Sequence, residues 1–249
     1  MATLVDKIKP VNGFYRLFHF SLQLVLPLLV FILVRLNFVQ LAFSLILLSK
    51  WRMFAVRPRF WPANIQANAV DIIVGVSLVL FMVNTSSIPL QLIWVLFYVL
   101  WLTVIKPATD LVMISFQALL GQFLGLVALY ISWSVGSIWG LTVLVGLICF
   151  FAARHFFNGF EEPYDKLLAY FWAYFGAALA WLTGHWLIYY KVISQPALLL
   201  SILGYGLALL YYFDHSRKIS KFIRWQFLGI FVFMVILIIF FSGWTNRVV

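Results

Sequence analysis

Long apolar runs broken by short polar passages make up almost the whole chain. A helix crosses the roughly 30 Å hydrocarbon layer of a bilayer in about 20 residues, because it rises about 1.5 Å per residue. Runs of that kind cover approximately residues 17–35, 37–54, 69–85, 88–105, 110–132, 137–153, 166–189, 196–213 and 223–243. No segment alternates apolar and polar residues as a membrane β-strand does. The pattern therefore predicts an all-α, polytopic bundle of about nine transmembrane helices, forming a single domain over residues 1–249 with no soluble domain.

The second run is the shortest. Its uncharged part, from Asn37 to Ser49, spans fully only if Lys50 and Arg52 extend their charged tips to the boundary. A re-entrant hairpin is the alternative, as is one long segment kinked at Pro27. Between the second and third runs lies a basic, aromatic stretch, residues 50–68. Pro58 and Pro62 interrupt a continuous helix there, so it is expected to form an interfacial elbow.

Composition sharpens this picture. Hydrophobic residues are 65% of the chain and charged residues 10%, against about 25% charged in soluble domains. The lone cysteine, Cys149, lies within an apolar run and supports neither an intramolecular disulfide nor a thiolate cluster. The first apolar run ends without a small-residue cleavage site and reads as a retained anchor.

The net charge of +10 is explained by topology before any polyanionic partner is needed. With the N-terminus in the cytoplasm and the C-terminus outside, only Arg35, Lys191 and Arg247 among the 17 basic residues face outward. The seven acidic residues also map inward. This placement predicts a multi-pass protein of a plasma or inner membrane. Its partners are the bilayer, anionic lipid head groups and a membrane protein, with no nucleic acid.

Chemistry is sparse. Asp71, Asp110, Glu161, Glu162 and Asp165 fall at expected helix starts, where carboxylates complement unpaired N–H groups. No predicted span then carries an acid near its middle, which counts against ion-coupled transport. Asp214 falls at a helix C-terminus, with Arg217 and Lys218 as expected partners. The candidate catalytic groups are Asp214, Glu162 and His155, with His215 and Arg154 as possible neighbours. Arg57, Arg59 and Arg154 are the candidate binders of phosphate or anionic lipid, since guanidinium groups pair with phosphate in a bidentate way.

Gln117, Gln122 and His185 would line a polar path if one exists, because amides in a membrane need partners inside the bundle. Gly121 and Gly125 form a GxxxG pattern that permits close helix approach. Histidine spacing suggests no metal site, the sequence identifies no cofactor, and no phosphate loop, HExxH or GxSxG is present. Three classes of function remain. They are a structural, assembly or lipid-interacting component, an enzyme acting on a lipid or prenyl phosphate, and a permease or channel.

Overall fold

The fold is a bundle of apolar helices, seen in a computed structural model that describes residues 13–133, 137–184, 189–190, 193–215 and 220–242. Among the described residues nine α-helices follow one another, α1 (Gly13–Arg35), α2 (Val39–Leu48), α3 (Trp61–Val83), α4 (Ile88–Leu100), α5 (Leu111–Ser132), α6 (Ile138–Gly159), α7 (Asp165–Gly184), α8 (Gln195–His215) and α9 (Lys221–Phe241). A π-helical turn, Trp101–Ile105, extends α4. Two residue pairs, β1 (Tyr189–Tyr190) and β2 (Ile193–Ser194), form a small antiparallel hairpin between α7 and α8. From α3 to α9, seven helices are long and apolar enough to cross a membrane. The protein is thus an all-α, membrane-type helix bundle.

The core lies where α3, α5 and α6 meet. Gly121 and Gly125 present a bare strip of α5 to α3, and Val70 and Ile73 fill it. An added Cβ at Gly121 would stand 2.7 Å from Val70 Cγ1, and one at Gly125 would stand 2.7 Å from Ile73 Cγ2. These contacts match residue 70 with 121 and residue 73 with 125, so α3 and α5 run in the same direction. Asn84 at the end of α3 accordingly donates to Ser132 Oγ at the end of α5 (3.2 Å).

The polar turns follow local chemistry. Asn37 closes the α1–α2 turn at φ 60°, a left-handed conformation that asparagine tolerates well. Glu161 adopts φ 53° in the α6–α7 turn. Proline stands in the first turn of both α3 and α4, where its missing N–H costs no helical hydrogen bond.

Three sequence expectations change. First, α2 is ten residues long, about 15 Å, and ends at Leu48, short of a full crossing. Lys50 turns into the bundle and lies buried beyond its end. Second, the elbow is confined to residues 50–60, with 3₁₀ turns at Trp51–Met53 and Pro58–Phe60, because α3 already begins at Trp61. The polar run through Asn64, Gln66 and Asn68 is helical since each side chain finds a partner. Asn64 donates to Met53 O (3.3 Å) and Asn68 to Asn64 O (2.9 Å), while Gln66 faces Arg154.

Third, Asp71 is no helix cap. It stands ten residues after Trp61 and twelve before Val83, about 15 and 18 Å from the two ends of α3. An acidic group therefore does lie mid-helix. The expectation of acid-free spans fails because the helix begins at Trp61, eight residues before the apolar run that starts at residue 69.

A candidate intramembrane charge site

Asp71 is 7% exposed, and three donors converge on its carboxylate. Lys50 Nζ and Lys106 Nζ both pair with Oδ2, the latter at 2.5 Å, and Trp101 Nε1 donates to Oδ1 at 2.8 Å. Each partner comes from a different segment. Lys50 follows α2, Trp101 opens the π turn, and Lys106 follows it. A charge buried in apolar surroundings is costly unless paired and hydrogen-bonded, and this carboxylate has all its neighbours supplied. Two ammonium groups share one carboxylate, so the cluster carries an excess positive charge. Lys106, whose side chain is 37% exposed, is its opening to the surroundings.

Next to this cluster the chain leaves the π turn, and Gln117 of α5 braces the backbone carbonyls there. Its Nε2 donates to Ile105 O (2.6 Å) and Ala108 O (3.0 Å). Its Oε1 lies 2.9 Å from His155 Nε2. An amide oxygen only accepts, so His155 donates from Nε2. The adjacent Arg154, 8% exposed, pairs with Asp165 at the head of α7. With the Gln66 amide turned to face it, the guanidinium also donates from Nη2 (2.6 Å) and Nε to the Gln66 oxygen. A band of buried polar groups therefore runs from α2 through α3, α4, α5 and α6 to α7.

Gln122 works one helical layer away. It donates to Leu200 O of α8 (3.0 Å) and accepts from Trp172 Nε1 of α7 (2.8 Å), tying three helices together. Gly204 makes room for it, since a Cβ there would sit 3.0 Å from Gln122 Nε2 and 3.2 Å from Trp172. Beside this knot α7 and α8 flank a cleft of about 560 Å³ lined by Leu119, Phe156, Leu168, Phe171, Leu207 and Ala208. Tyr211 stands in the lining, and its hydroxyl donates to the Glu162 carboxylate. A second apolar cleft, about 670 Å³, lies on the other side of α8, against α5 and α9.

Of the residues singled out from sequence, the structure brings Gln117 and His155 together beside Arg154. Arg57 and Arg59 are exposed on the elbow, with the Arg59 guanidinium 4.6 Å over the Phe60 ring. Arg154 is buried and committed to Asp165 and Gln66. Asp214 pairs with Arg224 of α9, and its expected partners Arg217 and Lys218 lie outside the described residues, as does His185. Glu162 meets Tyr211, and His155 meets Gln117. Asp110 stands at the N-cap of α5, and Asp165 occupies the first turn of α7. Among the described residues no three His, Cys, Asp or Glu side chains converge to hold a metal ion.

Sequence reasoning missed the set formed by Lys50, Asp71, Trp101 and Lys106. The available signal was a lone aspartate in a run rich in Asn and Gln, next to apolar helices with lysines at their ends. Comparison with protein-family models, with curated proteins and with solved structures finds no match for this chain.

Proposed function

We propose that the protein is a lipid-interacting component of a cell membrane, with its basic end facing the cytoplasm, and that the cleft between α7 and α8 takes the hydrocarbon chain of a membrane lipid. The cleft is the observation that supports this reading. Its volume of about 560 Å³ falls in the usual range for small-ligand sites, roughly 300–1,000 Å³. Its polar members are already occupied. Gln122 and Trp172 bond to each other and Gln122 to Leu200 O, while the Tyr211 hydroxyl serves Glu162. What the cleft offers a ligand is almost wholly hydrocarbon.

The same bonds count against a permease path through Gln117 and Gln122, since both amides are spent on the protein's own groups. Enzymatic handling of a lipid phosphate would need Arg57, Arg59, Arg154, Glu162 and Asp214 around one substrate. Arg154 and Asp214 are instead paired elsewhere.

Reconstitution with a lipid carrying a photoreactive acyl chain tests the reading. Phe171 and Leu207 are expected to be labelled more heavily than Phe240 on the outward face of α9, and Ala208→Trp is expected to remove most of that excess. Equal labelling of cleft and outward face, with no response to Ala208→Trp, would rule the cleft out as a lipid site.

A further inference from the structure

The elbow between α2 and α3 stands at an unusual depth. An added Cβ at Gly75 would lie 3.0 Å from Ile46 Cγ2, which puts these two residues at the same level. From there to the outer ends of the two helices is seven residues in α2 and eight in α3, about 10 and 12 Å, so both end together. At the other end they part company. After α2 stops at Leu48, Lys50 reaches Asp71 halfway along α3, and the chain takes ten further residues of turns to reach Trp61. At the α2 face, helix therefore covers only about half the thickness of a hydrocarbon layer.

Turn backbone exposed to lipid does not occur in hydrocarbon, because water is absent to satisfy its N–H and C=O groups. Yet the elbow is exposed through most of its length, including Arg52, Arg57 and Arg59. It is also braced: Trp61 Nε1 donates to Val56 O (3.0 Å), and the Phe54 and Trp61 rings meet edge to face at 5.4 Å. Bilayers answer a short hydrophobic face by thinning, and they answer intramembrane charge by drawing in water and head groups.

We infer that the α2 face is a notch in the inner leaflet, where the membrane thins and the phosphate groups of anionic lipids bind Arg57, Arg59 and the exposed side of Lys106. Charge supports the choice of ligand. Of Lys50, Arg52, Arg57, Arg59 and Lys106, only the two lysines form an ion pair among the described residues, and they share the single carboxylate of Asp71. The surroundings favour a lipid source of phosphate over a free one. Trp51, Phe54 and Phe60 are 61%, 45% and 46% exposed around the notch, as rings seated in a head-group layer are. This site is separate from the α7–α8 cleft and stands or falls independently of it.

Two measurements on the full chain test it. In nanodiscs of phosphatidylcholine and phosphatidylglycerol, the protein is expected to retain phosphatidylglycerol preferentially when bound lipids are counted by native mass spectrometry. Arg57→Gln with Arg59→Gln is expected to weaken that retention by about fivefold per arginine, and Lys106→Gln to weaken it further, whereas millimolar inorganic phosphate leaves it intact. Unchanged retention in the variants, or displacement by inorganic phosphate, overturns the assignment. The second measurement is independent of the arginines. Cys149 is fully buried, so Ala55→Cys introduces the accessible thiol. A membrane-impermeant maleimide applied to the cytoplasmic side is expected to label it about as fast as a thiol placed by Glu161→Cys in the α6–α7 turn. An Ala55→Cys thiol that is shielded from the reagent shows the notch to be filled with hydrocarbon and defeats the inference.

Discussion

Asp71 is the shared acceptor for two lysines and an indole inside the bundle. Removing one member of a buried ion pair leaves an uncompensated charge and costs about 3–5 kcal/mol, although the intact pair itself adds little over an apolar replacement. Asp71→Asn strands two ammonium groups at once, so it is expected to destabilise by that amount in chemical unfolding from mixed micelles. Lys106→Gln is expected to cost under about 1 kcal/mol, because its partner keeps Lys50 and Trp101 and its own side chain is partly solvated. Equal losses for the two substitutions would show that the carboxylate is not the centre of the cluster. None of these partnerships was legible in the sequence. Asp71 lies 21 residues from Lys50 and 30 from Trp101, and no local periodicity records which helices will be neighbours. The same holds for Gln117 with His155, where the need of an intramembrane amide for a partner could be read but the partner could not.

Helices are where the sequence was most readable, and the reason is length. A run of about 20 apolar residues has few ways to satisfy its backbone in hydrocarbon, and α4, α5, α8 and α9 fall close to their expected bounds. Reading fails at the polar ends. Pro58 and Pro62 place residues 61–68 in the expected elbow, whereas Pro62 fits the first turn of α3 and the amides of Asn64, Gln66 and Asn68 serve Met53, Arg154 and the helix itself. The GxxxG strip shows the converse case, a sequence pattern whose structural meaning is clear. Gly125→Val is expected to cost about 1–3 kcal/mol by overpacking against Ile73 and Ile148. Gly229→Val on α9, where an added Cβ meets nothing within 4 Å, is expected to stay within about 0.5 kcal/mol. Thermal unfolding of the two variants in one detergent makes the comparison, and a similar loss in both would mean that α9 is covered.

Across the molecule the helices are unequally held. The early part is knitted by the Asp71 cluster and by the close approach of α3 to α5, while α6 and α7 form an intimate pair bridged by Arg154 and Asp165. The last helix packs chiefly against α8, and α8 is itself flanked by a cleft on either side. Hydropathy could predict that these segments span, but it carries no information about how firmly one span grips the next. This gradient has a mechanical consequence. When a single molecule is drawn from the bilayer by its C-terminal end, α9 should come away first at low force and α8 next. The largest resistance should come only when the pull reaches the segment between α3 and α7. Single-molecule force spectroscopy on reconstituted protein reads that order directly, and a first rupture that removes α6 to α9 together would contradict it. Such a chain has a firm body and a peelable edge, so the bilayer's own lateral pressure, and not protein contact alone, must help to keep its final hairpin seated.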